Sequence, residues 1–207
     1  MRGLLLKDLS LLMGGFGWVI PAIPGFFTLM WAEDLHHYAY TGYIVGAGTY
    51  LFCMLTDQSP EINRMVLQFP IARKRIVQAK YVLPILSGLL GIGVSSVLQL
   101  VSLLNHPEKP FSVVTGSEMA VIISLVVLQA AFYYPFFLGQ WKRVANVVLS
   151  IHLFFNFLAI MGIGIFEKIF GEFEMSLLYS FRFLGASLFV YLLSYLLTQK
   201  LFQHTDY

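Results

Sequence analysis

The stretch FPIARKRIVQAKY, residues 69–81, gathers four cations, Arg73, Lys74, Arg75 and Lys80, into a chain whose charge is otherwise sparse. A long apolar run precedes it and another follows, so the basic cluster lies between two segments that each have the makings of a membrane span. A transmembrane helix needs about 20 mostly apolar residues. The sequence offers six such stretches, near 14–31, 38–56, 80–104, 118–140, 144–166 and 176–199. The whole chain agrees: 58% of its 207 residues are hydrophobic and 12% charged, well away from soluble averages. The expected fold class is an all-α integral membrane protein, a single transmembrane domain over residues 1–207 with no separate soluble part.

Orientation follows from the loops that hold lysine and arginine. With the N-terminus in the cytoplasm, Arg2, Lys7, Arg64, Arg73, Lys74, Arg75, Lys80, Lys142, Arg143 and Lys200 fall inside, and only Lys109 and Lys168 fall clearly outside. Both termini are therefore expected in the cytoplasm. The net charge of +2 is confined to these loops rather than spread over a face, which points to the bilayer and away from nucleic acid. The single cysteine, Cys53, lies in an apolar run and reads as a small buried hydrophobe. The first residues carry charge and leucines, but no small-x-small cleavage site follows them, so they do not read as a signal peptide. In residues 1–13, Leu5, Leu9 and Leu12 recur at helical spacing while Lys7, Asp8 and Ser10 fall on another arc. That suits an interfacial helix with Gly14 and Gly15 as the elbow, or else a longer tilted first span.

Residues 57–79 form the loop that contains most of the basic cluster. Ser59 and Pro60 give a helix start, and Ile62, Met65, Val66 and Phe69 follow i, i+3, i+4, i+7 on one stripe. Pro70 ends the run, because the residue before a proline is pushed out of the helical region. The expected order is a short amphipathic helix, a proline break, then a basic approach to span three. Two readings stand. The cations Arg73, Lys74, Arg75 and Lys80 enforce topology and snorkel to lipid phosphates; or the short helix is a lever on which a cytoplasmic partner pushes.

Here a resemblance enters. Phe69-Pro70-Ile71-Ala72-Arg73, followed by Ile76-Val77-Gln78-Ala79-Lys80-Tyr81, resembles the loop of the small permeases of type-2 ABC (ATP-binding cassette) transporters, whose pattern is leucine-proline-x-serine/threonine-arginine and then x-x-isoleucine-valine-x-x-lysine. The opening MRGLLLKDL is similar to that family's N-terminal elbow. Two positions depart: Phe69 replaces the usual leucine, and Ala72 the serine or threonine that would cap the next helix. The resemblance implies a permease that docks ATPase subunits through Ile62, Met65, Val66, Phe69, Pro70, Arg73, Lys74 and Arg75, pairs with a second permease, and exports a hydrophobic or amphipathic substrate such as a peptide, drug or lipid. It implies ATP and Mg on the partner subunit and a bacterial plasma membrane as the location. The residues agree on one negative point: no G-x-x-x-x-G-K-[ST] phosphate loop is present, so no ATPase activity or bound cofactor is expected of this chain.

Other candidates are fewer. His152 and Asn156 stand one turn apart on span five and read as an interhelical hydrogen bond, an interface or a substrate contact. The second histidine and paired glutamates that an intramembrane protease needs beside such a pair are missing. His36 and His37 are adjacent, the wrong spacing for a zinc pair, so no metal is expected. Arg182 lies inside span six near its outer end, where it can snorkel, pair with Glu118, Glu172 or Glu174, or meet substrate. The acidic and aromatic stretch before it, 166–175, reads as interfacial or re-entrant, and the resemblance implies that this region, about 164–183, dips back into the membrane. Among 19 Phe and 11 Tyr, Tyr38, Tyr40, Tyr43 and Tyr50 are candidates to line a route, with Tyr43 and Tyr50 on one face. Two rival functions are a secondary transporter, which calls for acidic residues deep in a span where none occurs, and a non-transporting scaffold or regulator.

Overall fold

The computed structural model describes residues 36–57, 73–105, 115–138 and 176–203, together with positions 147 and 150. They form four long α-helices: α1 (His36–Asp57), α2 (Arg73–Asn105), α3 (Gly116–Leu138) and α4 (Leu177–Gln203). No strand occurs among the described residues. Three segments, Lys74–Leu104, Gly116–Phe136 and Leu177–Leu201, are long and apolar enough to cross a membrane. They overlap the expected spans at 80–104, 118–140 and 176–199; α1 overlaps the expected span at 38–56 as a helix but is not among these three. The expected spans at 14–31 and 144–166, the interfacial helix at 1–13 and the short helix of the 57–79 loop lie outside the described residues.

Local chemistry sets the ends. α2 stops at Asn105, and His106, which stands before Pro107, is disfavoured in a helix. α3 opens on a capping box: the Thr115 hydroxyl accepts from the Glu118 N–H at 3.3 Å, and the Thr115 N–H donates to Glu118 Oε2 at 2.7 Å. Gly139 follows its last residue. α4 begins at Leu177, so residues 177–183 of the stretch read as re-entrant are ordinary helix. α2 begins at Arg73, inside the expected loop, and its 33 residues span about 50 Å at 1.5 Å each.

An apolar core, with Tyr50, Met54, Val77, Val126 and Val127 fully buried, is combined with polar seams and an apolar outer surface. α4 buries Ser180, Ser187, Tyr191, Ser194 and Thr198, a stripe spaced by sevens, fours and threes, while Leu188, Phe189, Leu192, Leu193, Leu196 and Leu197 are exposed. α2 likewise buries Ser87, Ser95 and Gln99 and exposes Leu86, Leu89, Leu90, Val97 and Leu100. In lipid, exposed leucine costs nothing and small or hydroxyl-bearing residues form the contacts, because they let backbones approach and hydrogen bond across helices.

The closest approach is between α1 and α2. A Cβ added to Gly91 would overlap the Gly42 carbonyl oxygen and lie 3.2 Å from Gly46 N; one added to Gly42 would lie 2.8 Å from the Gly91 carbonyl oxygen. One added to Gly46 would lie 3.0 Å from the Ser87 carbonyl oxygen, so Gly42 and Gly46 face Ser87, Gly91 and Ser95 along an antiparallel seam. Tyr134 of α3 reaches Lys80 of α2, and Gly88 of α2 faces Ile123 and Val126 of α3, again antiparallel. α3 and α4 are different: Gly116 faces Leu177 at their starts and Ser194 bonds Ala131 near their ends, so they run parallel. α1, α3 and α4 thus point one way and α2 the other. One end of the bundle, where α2 starts and the other three finish, carries the exposed Lys74, Arg75 and Lys200 and is called the basic end below.

Candidate coupling and interface site

Arg73 is the first residue of α2, and Lys74 and Arg75 stand exposed in its first turn. A hydrocarbon core is about 30 Å thick, so a helix of about 50 Å exceeds it by about 20 Å. The basic quartet is divided by this geometry. Lys80, 6% exposed, belongs to the packed bundle and not to the projecting surface. The first turn of α2 is a cationic tip continuous with a membrane helix, fit to meet acidic side chains or phosphates. Ile62, Met65, Val66, Phe69 and Pro70, which the sequence assigns to the same site, lie outside the described residues, as do His152 and Asn156.

Tyr43 and Tyr50 do share a face, and the structure adds the residue that joins them. The Tyr50 hydroxyl donates to Gln129 Oε1 at 3.2 Å, and Gln129 Nε2 donates to the Tyr43 hydroxyl. Tyr50 is fully buried. A glutamine inside an apolar helix is costly unless its amide is satisfied, and here one amide ties two tyrosines of α1 to α3.

Arg182 is exposed near the start of α4, its guanidinium 5.8 Å from the ring centre of Tyr179 one turn earlier. Of the three carboxylates offered as its partners, Glu172 and Glu174 lie outside the described residues, and Glu118 accepts from the Thr115 N–H at the start of α3; the arginine lies over an aromatic face.

The densest polar cluster lies at the basic end, around Tyr81. Its hydroxyl is 2.7 Å from both Ser194 Oγ and Thr198 Oγ1. Its ring meets Tyr134, Tyr191 and Tyr195 at centroid distances of 4.8, 5.0 and 5.3 Å. Tyr134 donates to the Lys80 carbonyl at 2.8 Å, Tyr191 to the Tyr81 carbonyl, and Ser194 to the Ala131 carbonyl at 2.6 Å. None of these residues is a candidate on sequence grounds except Lys80. A signal was present: serine and threonine at 187, 194 and 198 recur on one face of α4, the spacing of an interhelical seam. Among the described residues no group of three or more His, Cys, Asp or Glu is placed to hold a metal ion, and Cys53 is a buried thiol in no disulfide.

A bundle of long helices with leucines on its outer surface and hydroxyl-bearing seams between its helices is that of a polytopic membrane protein. Residues 3–203 match the family described as ABC-2 family transporter protein, and the chain belongs to that family. It is thereby a permease component of an ABC transporter, the part that works with a separate ATPase. No curated protein and no solved structure matches it.

Proposed function

We propose that this chain is the membrane subunit of an ATP-driven exporter of a hydrophobic or amphipathic substrate, a peptide, drug or lipid. Separate ATPase subunits that hold ATP and Mg dock on residues 57–79 and the first turn of α2, with Ile62, Met65, Val66, Phe69, Pro70, Arg73, Lys74 and Arg75 as the contact set. A second permease, identical or related, completes the pathway. Both termini and the basic end lie in the cytoplasm of a bacterial cell, as the lysine and arginine bias of the loops requires. Closure of the ATPases on ATP displaces the docking segment, and α2 carries that motion into the bundle, shifting it between inward- and outward-open states.

The observation that carries the reading is the continuity of α2. Exposed Lys74 and Arg75 and the membrane-crossing residues up to Leu104 belong to one helix, so a force on the arm is a force on the span. Further support comes from direction. α3 ends at the basic end and its parallel neighbour α4 begins at the opposite end, so the chain between them has the bundle's length to travel. The expected span at 144–166, with His152 and Asn156, falls in that stretch. With the expected first span at 14–31, this makes six.

The test is copurification. The permease expressed with its genomic neighbours is expected to carry an ATPase subunit, and Arg73→Glu with Lys74→Glu and Arg75→Glu is expected to release that subunit while the permease stays inserted. Unchanged copurification would return the cations to a topological role and favour a scaffold.

A further inference from the structure

α2 contains Pro84 and α3 contains Pro135, one close to the first turns of its helix and one close to the last, at the same level of the bundle. A proline has no N–H, so it leaves the carbonyl four residues earlier without its helical donor. For Pro84 that carbonyl is Lys80, and for Pro135 it is Ala131. In lipid such a group must find a partner inside the protein. Both do. Tyr134 donates to Lys80 at 2.8 Å and Ser194 donates to Ala131 at 2.6 Å, while Tyr191 donates to the next carbonyl of α2, Tyr81.

The two caps are joined. Ser194 has one hydrogen and gives it to the Ala131 carbonyl, which can only accept. It therefore accepts from Tyr81, whose single hydrogen is then spent, and Thr198 must donate to Tyr81 in turn. The chain of donors runs in one direction, from Thr198 to Tyr81 to Ser194 to Ala131. It links the proline break of α3 to the tyrosine that lies beside the break of α2, with α4 supplying the hydroxyls between them.

We propose that this knot is a two-helix pivot: α2 and α3 are broken at one level, and the hydroxyls of Tyr81, Tyr134, Tyr191, Ser194 and Thr198 hold both breaks in register against α4. The segment of α2 before Pro84, exposed at Lys74 and Arg75 and packed in the bundle through Ile76, Val77, Ala79 and Tyr81, is the arm, and the segment after it is the span. Re-pairing of these hydroxyls lets the arm change angle without leaving a carbonyl unsatisfied. The proposal deepens the coupling reading above and rests on it for the source of the force, but the pivot itself is testable with the full-length permease alone.

The first measurement is a double-mutant cycle on unfolding of the reconstituted chain. In the native background Tyr134→Phe is expected to raise the unfolding constant about three- to ten-fold, the worth of one buried hydrogen bond. In a Pro84→Ala background the restored N–H serves Lys80, and the same change is expected to have under two-fold effect. Ser194→Ala against Pro135→Ala repeats the logic at the second break. The second measurement uses spin labels, with Cys53→Ala and cysteines placed at the exposed Lys74, Leu100 and Leu196. Tyr134→Phe with Tyr191→Phe is expected to broaden the distances from position 74 to 196 and leave those from 100 to 196 unchanged. Equal cost of Tyr134→Phe with and without Pro84, or equal broadening of both intervals, overturns the pivot. Retention of the ATPase after charge reversal at Lys74 and Arg75 would instead overturn the coupling reading and leave these two measurements intact.

Discussion

Replacement of Gly91 by alanine is the sharpest test of how α1 and α2 meet. The new Cβ would overlap the Gly42 carbonyl oxygen, with the Gly42 carbonyl carbon at 3.0 Å and Gly46 N at 3.2 Å. All three are backbone atoms, so no side-chain rotation relieves the clash and the helices must separate. A separation of about 0.5–1 Å already forfeits a quarter to a half of each pairwise attraction along the seam. Overpacking of this kind costs about 1–3 kcal/mol, against about 1 kcal/mol gained by removing glycine from a helix interior. Gly93 supplies the control, since a Cβ there meets nothing within 4 Å. Gly93→Ala therefore keeps the propensity gain without the clash. The expected result is a Gly91→Ala protein about 1–3 kcal/mol less stable than Gly93→Ala, and Gly91→Val worse by a further 1–3 kcal/mol. Unfolding in mixed detergent micelles, followed by tyrosine fluorescence, measures both. Equal stability of the two alanine variants would show that the backbones do not approach at Gly42 and Gly91, and the antiparallel seam would have to be abandoned.

Gln129→Leu removes the amide shared by Tyr43 and Tyr50 and strips a donor or acceptor from each buried hydroxyl, so a loss of about 1–3 kcal/mol is expected in the same assay; no loss would mean that the amide bridge does not form. Gln99 is the opposite case. It is 6% exposed and neither its Nε2 nor its Oε1 has a hydrogen-bond partner among the described residues, so Gln99→Leu is expected to be neutral or to stabilise by about 1 kcal/mol. A stable Gln99→Leu protein that no longer transports would place the amide in the path of substrate or of the second permease. Thr115→Ala removes the hydroxyl that caps α3 and is expected to cost about 1 kcal/mol, read as faster amide exchange in the first turn near Met119 with the rest of α3 unchanged.

Much of the fold was legible in the residues because the bilayer is a demanding solvent. A span must satisfy its own backbone and must be apolar over about 20 residues. Hydropathy and helix-breaking signals therefore placed α1, α3 and α4 within a few residues of their observed ends. The start of α2 was harder to place, since Arg73 to Ala79 read as polar loop by hydropathy yet are helical. The candidate site was legible in part. The cations of the arm and the shared face of Tyr43 and Tyr50 follow from local spacing. Gln129 as their bridge does not, since it lies 79 and 86 residues away along the chain.

By itself, the sequence determined that this is a helical membrane protein with its positive charge at one end, and it carried the pattern of an ABC-2 permease around Phe69 to Tyr81. Both are properties of short windows, where composition and periodicity act directly. Tertiary structure decided which helices run parallel, where glycines let α1 and α2 touch, and which hydroxyls repair the breaks at Pro84 and Pro135. Those depend on partners tens of residues apart or more, such as Gly42 with Gly91, Tyr134 with Lys80 and Tyr81 with Ser194. A proline announces that a carbonyl is missing its donor; only the packed bundle supplies the hydroxyl that replaces it.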